Sequence, residues 1–182
     1  MRLIPEHLIP EVRTAHRLQD YGGGIDEVKV IRLTRFSDDQ GSLTELARLD
    51  DKGHLHGFTA LRLQQLNYST LEPGVIKAFH VHKGQREAWF VPPEDRILLV
   101  LVDVRDASPT ARRVMKIVLG DGSSMLLSIP PGVAHGFKNI GTKTARVIYL
   151  TDRHFSAEPE KTDEGRLPWD MVGPEIWEPS KD

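Results

Sequence analysis

Three of the eight histidines in this 182-residue chain are spaced for chemistry. His80 and His82 lie two apart in Gly74-Val75-Ile76-Lys77-Ala78-Phe79-His80-Val81-His82. On an extended strand, alternate side chains share a face, so the two imidazoles point the same way. Lys77 has the opposite parity unless the strand bulges. Glu87 opens the next extended run and can face the same interior. His135 follows Pro130-Pro131-Gly132, a turn-forming triplet that sets it near the start of another strand. Imidazoles beside a carboxylate can move protons near neutral pH or hold a divalent transition metal. No cysteine is present, which excludes thiolate sites and disulfides and fits a reducing compartment. His7, His16, His54, His56 and His154 read as surface residues, with His54-x-His56 in a charged loop over 50–57.

The elements that must position these residues are short β-branched runs punctuated by Gly, Pro and Asp, the pattern of an antiparallel sandwich or barrel. Strands are expected at Val28–Thr34, Leu43–Ala47, Leu61–Leu66, Val75–His82, Ala88–Val91, Ile97–Val104, Val114–Leu119, Met125–Ile129, Ala134–Asn139 and Arg146–Thr151. The run Ile97-Leu98-Leu99-Val100-Leu101-Val102 is apolar throughout, which predicts a strand buried on both faces. Asp121-Gly122 predicts a tight turn. Residues 1–27 read as an N-terminal arm with a short helix around Glu11–Gln19, 28–154 as a barrel, and 155–182 as a tail packed by Trp169 and Trp177.

Composition narrows the function classes. A net charge of -2 with no basic run argues against a nucleic-acid partner, while a few converging cations would still suit an anionic ligand. No apolar stretch approaches the ~20 residues needed to span a bilayer, and the opening residues do not read as a secretory signal. The expectation is a cytoplasmic protein without a membrane partner.

The segment from Gly74 to Glu87 resembles the first cupin motif, Gly-x5-His-x-His-x4-Glu, with Glu94 in place of its terminal Gly. Pro130 to Asn139 resembles the second, Pro-x-Gly-x2-His-x3-Asn, with Ser124 in place of its leading Gly. The resemblance implies an all-β fold: a cupin, or double-stranded β-helix (jelly-roll), barrel. In metal-binding cupins the matching residues are the ligands, so His80, His82, Glu87 and His135 form a candidate set for a divalent transition metal.

A narrower family is also similar. Val102-Asp103-Val104-Arg105-Asp106-Ala107-Ser108-Pro109-Thr110, Ile129 to Phe137, Val147-Ile148-Tyr149, Gln65-x-Asn67, the Asp39–Glu45 turn and the Trp-containing tail resemble the dTDP-4-dehydrorhamnose 3,5-epimerases over roughly residues 28–178. That resemblance implies an isomerase of the rhamnose pathway, acting on a dTDP-linked 4-keto-6-deoxy sugar with no cofactor. It assigns His80 as base, Tyr149 as acid, and His135, Lys77, Gln65, Asn67 and Glu45 as substrate contacts. It also implies a homodimer built by exchange of N-terminal strands.

Several positions depart from the family pattern. Gln40 replaces a cation, Gln85 or Arg86 stands in the region of a lysine, and His82 and Glu87 are atypical. No tail carboxylate matches the family's partner for the base, a role open to Glu87 or Asp103. Three alternatives stay open: a 3,4-ketoisomerase of nucleotide-linked sugars, which shares the segment from His80 to Lys83; a metal-dependent cupin dioxygenase or lyase; and a non-catalytic sugar-nucleotide-binding cupin.

Overall fold

A computed structural model describes residues 17–18, 24–158 and 162–179. Two antiparallel sheets face each other across a cup. The six-stranded sheet runs in the order β1 (Arg17–Leu18), β11 (Val114–Gly120), β10 (Arg96–Asp103), β13 (Val133–Asn139), β8 (Ile76–His82) and β15 (Glu164–Arg166). Within it, the pairing of β1 with β11 is parallel. The five-stranded sheet runs β2 (Lys29–Arg32), β12 (Met125–Ile129), β9 (Glu87–Phe90), β14 (Ala145–Thr151) and β7 (Gln65–Leu71). Two hairpins flank them, β3 (Arg35–Ser37) with β4 (Ser42–Thr44), and β5 (His54–Leu55) with β6 (Phe58–Arg62). This is the expected all-β cupin architecture.

The core follows from period-2 alternation. On β10, Ile97, Leu99 and Leu101 face the inter-sheet core with Trp89, Leu127, Val147 and Phe137. Leu98, Val100 and Val102 face outward, under Met171, Val172, Ile176 and Trp177 of the tail. The apolar run is therefore buried on both faces, and each such side chain contributes about 1.5–3 kcal/mol. The hairpin β5–β6 covers the outside of the other sheet through Leu55, Phe58 and Leu61, which pack on Ala88, Phe90 and Leu150. The Asp121-Gly122 turn takes left-handed backbone at both residues, φ 53° and 79°.

Three expectations are corrected. The run predicted as Leu61–Leu66 is split between β6 and β7, because its residues serve two sheets. His54 lies in a two-residue strand rather than a loop, and its ring sits 3.1 Å from Asp50. The tail packs through Trp177, whose indole N–H donates to the Trp169 carbonyl at 2.9 Å; the Trp169 side chain itself is half exposed. The helix expected around Glu11–Gln19 lies mostly outside the described residues, and Arg17–Leu18 form β1 instead.

Between β8 and β13 the register shifts. His80 pairs with His135, but Lys77 pairs with Phe137, so β8 carries one extra residue. Such a bulge changes which side chains share a face, and it turns Lys77 toward the cavity that His80 lines. The two strands approach closely here: a Cβ on Gly136 would stand 2.3 Å from the Ala78 Cβ and 3.0 Å from the Trp177 ring. Only glycine fits.

Candidate active site

The cup holds a cavity of ≈ 370 Å³ lined by both sheets. β8 supplies Lys77, His80 and His82; β13 supplies His135 and Phe137; β9 supplies Glu87 and Trp89. β7 supplies Gln65, Asn67 and Ser69, and β14 supplies Tyr149 and Thr151. Asp163, Glu164 and Arg166 close one side of the mouth, and His154 and Phe155 another. Thus His80, His82, Glu87, His135, Tyr149, Gln65, Asn67 and Lys77 all meet at one cavity.

Glu45 does not line it. Its exposed carboxylate pairs with Arg48 at 2.7 Å, beyond β4. Asp103 lies elsewhere too, bound by Arg105, Ser108 and Thr110. Arg86 is paired to Glu27 at 2.9 Å.

The floor of the cavity is organised around Glu87. The Trp89 indole N–H donates to one carboxylate oxygen at 2.6 Å, and the Gln85 amide donates to the other at 2.7 Å. His82 Nε2 stands 3.1 Å from one oxygen and His135 Nε2 3.5 Å from the other. Burial works against the Glu87 charge, but the facing His135 and His82 and the indole donor overcome it, holding the carboxyl at about 2. His135 is pushed down to about 4 by burial against the pull of Glu87, so it is neutral at neutral pH. The donors from Trp89, Gln85 and His82 therefore carry the Glu87 anion there. For His82, burial is outweighed by Glu87, Glu164 and Asp163, and its affinity for a proton rises. Its Nδ1 is buried without a hydrogen-bond partner, 3.8 Å from Asp163.

His80 and Tyr149 differ from the floor. Burial lowers His80, partly offset by Glu164, so its ring is neutral at neutral pH. Burial and then the nearby Glu87 and Glu164 charges raise the Tyr149 phenol, which keeps its proton. A neutral imidazole accepts a proton and a protonated phenol gives one, the pairing that general base and acid require.

The donor atoms of His82, Glu87 and His135 lie within 4.8 Å of one another, and imidazole with carboxylate suits a divalent transition metal. His80 stands outside that group, with Nδ1 toward Glu164 at 3.7 Å. The four-residue ligand set is thus reduced to three by the geometry. Sequence reasoning missed Gln85, Trp89, Asp163, Glu164 and Arg166. Parity from Glu87 would have placed Gln85 and Trp89 on its face. Nothing in the spacing of the tail placed the last three beside β8.

Two facing sheets that enclose one cavity lined by His80, His82, Glu87, His135 and Tyr149 make this a cupin-type barrel. The family model described as dTDP-4-dehydrorhamnose 3,5-epimerase matches residues 23–170, and the chain belongs to that family. It is an enzyme of the isomerase class. The spore coat polysaccharide biosynthesis protein SpsL of Bacillus subtilis (strain 168) is 41% identical over 146 residues, covering 80% of this chain and 91% of that protein. A dTDP sugar isomerase from Desulfovibrio desulfuricans G20 superposes with a TM-score of 0.68 at 27% identity, covering 80% of this chain and 87% of the other. A Legionella pneumophila Philadelphia 1 3,5-epimerase, crystallised with dTDP-4-keto-L-rhamnose, gives 0.67 at 25% identity, covering 81% and 77%. Among the described residues no helix is long and apolar enough to cross a membrane.

Proposed function

We propose that the chain epimerises a nucleotide-linked 4-keto-6-deoxy sugar, such as a dTDP sugar, at the carbons flanking the ketone. The observation that carries this reading is the placement of His80 and Tyr149, from two different sheets, on one cavity with Lys77 at its mouth. The ketone acidifies the neighbouring C–H bonds. His80 takes the proton, the electron pair moves into the carbonyl to give an enolate, and Tyr149 returns a proton to the other face of the carbon. Gln65 donates to Asn67 at 2.8 Å, which presents both amides to the sugar or base. Lys77, exposed at the mouth, meets the diphosphate as a point charge.

Solvent deuterium wash-in tests the reading. With a dTDP-linked 4-keto-6-deoxy sugar, deuterium enters beside the ketone. His80→Ala lowers exchange by about 10²–10⁴-fold while the circular dichroism spectrum is unchanged. Absence of exchange despite measured binding, or full activity of His80→Ala, overturns it.

A second reading rests on the converging His82, Glu87 and His135. These residues would hold a divalent ion, which would polarise a substrate oxygen at the floor. Transition metal below about 0.1 equivalent after gentle purification removes that reading. Assembly as a homodimer is supported by the exposed Phe36, Leu43, Leu66 and Tyr68 on β3, β4 and the edge strand β7. A monomeric mass by light scattering contradicts it.

A further inference from the structure

We propose that Trp89 is a positioning residue for Tyr149, an indole fixed by Glu87 that holds the phenol where it delivers a proton to the far face of the substrate carbon. The inference rests on the epimerase reading above and adds to it the group that places the acid.

The Tyr149 hydroxyl has no hydrogen-bond partner among the described residues. The side chain is half-buried, yet no polar contact sets where the phenol points. Its sheet neighbours do. In the five-stranded sheet Tyr149 lies between Asn67 on β7 and Trp89 on β9, directly opposite each in register. Cross-strand pairs of this kind bring side chains into contact. Asn67 is a short amide already tied to Gln65. The indole gives the phenol its wide surface: the two ring centroids are 5.7 Å apart and the planes are tilted by 36°, within the range of a favourable aromatic pair.

Trp89 is held far more firmly than the ring it supports. It is 3% exposed. Its N–H donates to Glu87 at 2.6 Å, which selects one of the orientations that a terminal aromatic torsion allows. Trp89 and Glu87 are two apart on β9 and share a face, and Gln85 secures the other Glu87 oxygen at 2.7 Å. From β13, across the cup, His135 and Phe137 meet the indole edge-on at 5.4 and 5.0 Å, with interplanar angles of 77° and 86°. One hydrogen bond and two perpendicular rings leave the indole no room to slide, so it is a fixed reference for Tyr149.

The consequence is stereochemical. When the C–H bond breaks, its electron pair enters the carbonyl and the proton sits on His80. His80 exchanges that proton with solvent and can hand a deuteron back to the face it came from, which labels the carbon without inverting it. Inversion needs the Tyr149 O–H bond to break toward the opposite face, leaving a phenolate that solvent reprotonates. Trp89 packs on the acid, whereas His80 lies on the other sheet with its ring 6.0 Å from that of His135. Loss of the indole therefore impairs inversion and spares labelling.

Deuterium wash-in and product inversion, followed together by NMR on a dTDP-linked 4-keto-6-deoxy sugar, separate this from a structural role. Trp89→Leu lowers inversion on the order of 10²-fold, while wash-in per folded enzyme changes less than about threefold. Trp89→Phe keeps a ring beside Tyr149 but loses the bond to Glu87. It lowers inversion about tenfold, and it decides the matter where Trp89→Leu does not fold. A third measurement needs no turnover. The chain has three tyrosines, so 3-fluorotyrosine labelling gives three ¹⁹F signals, with Tyr149 assigned through Tyr149→Phe. In the wild type the Tyr149 signal carries the ring-current shift of the indole, and both Trp89 variants move it toward that of the exposed Tyr68. Inversion and wash-in falling in equal proportion, or an unmoved Tyr149 fluorine signal, overturns the proposal. Absent wash-in in the wild type overturns the epimerase reading instead, and the fluorine signal still decides whether Trp89 holds Tyr149.

Discussion

The floor and the rim of the cup solve the problem of placing charge in opposite ways. At the floor, Glu87, His82 and His135 are nearly inaccessible, and each Glu87 oxygen has a donor. At the rim, Lys77, Arg166 and Phe155 are exposed, and their contacts are long or solvent-facing. A buried ion is tolerated only when fully satisfied, so the floor is bound into the stability of the fold. A rim charge loses little by leaving its partner, so the rim can answer to a ligand. Substitutions at the floor should therefore cost stability, and substitutions at the rim should cost affinity.

The largest expected effect breaks the floor. Glu87→Ala removes the acceptor of Trp89, Gln85 and His82 and strands their donors, destabilising the protein by about 3–5 kcal/mol in urea unfolding. A loss below about 1 kcal/mol would erase the distinction between the two regions.

The next effect is a pH dependence of stability. His135 holds its proton less tightly in the folded chain, about 4 against 6.5, so between those values the unfolded chain binds more protons. The His135 contribution is complete above about 6.5 and falls as pH drops toward 4, by on the order of 3 kcal/mol. The depressed Glu87, about 2 against 4.5, removes more below 4.5. Urea midpoints across pH 4–7 should show the first slope, and His135→Asn should flatten it. The smallest effect belongs to the rim: Lys77→Ala raises KM about tenfold with kcat and melting temperature nearly unchanged. A lowered melting temperature would place Lys77 with the floor.

Much of this was legible in the chain. Apolar runs broken by Gly and Pro announced the β sandwich, because strand burial and turn chemistry are local properties. Alternation put His80 and His82 on one face, and Pro130-Pro131-Gly132 placed His135 at a strand start. The facing of Lys77 was not legible, since the extra residue in β8 leaves no mark on hydrophobic period. Nor was the company of Glu164: β15 is three residues of polar sequence, Glu-Gly-Arg, whose strand state comes from pairing with β8 rather than from propensity. Glu45 was assigned by likeness to a cavity that its own chain does not bring it to. Trp169 and Trp177 read alike in the sequence, and only the packing of the last turn decided which one is covered.

The bare Cα at Gly136 sits beside His135 and lets β13 close on Ala78, two residues before His80. The gauge between the His80 and His135 rings, 6.0 Å apart, is thus set by an atom the protein does without. Adding one methyl there would prise β8 outward and carry His80 away from His135 without changing any residue that lines the cavity. The tightest steric demand near the cavity thus falls on Gly136, which does not line it.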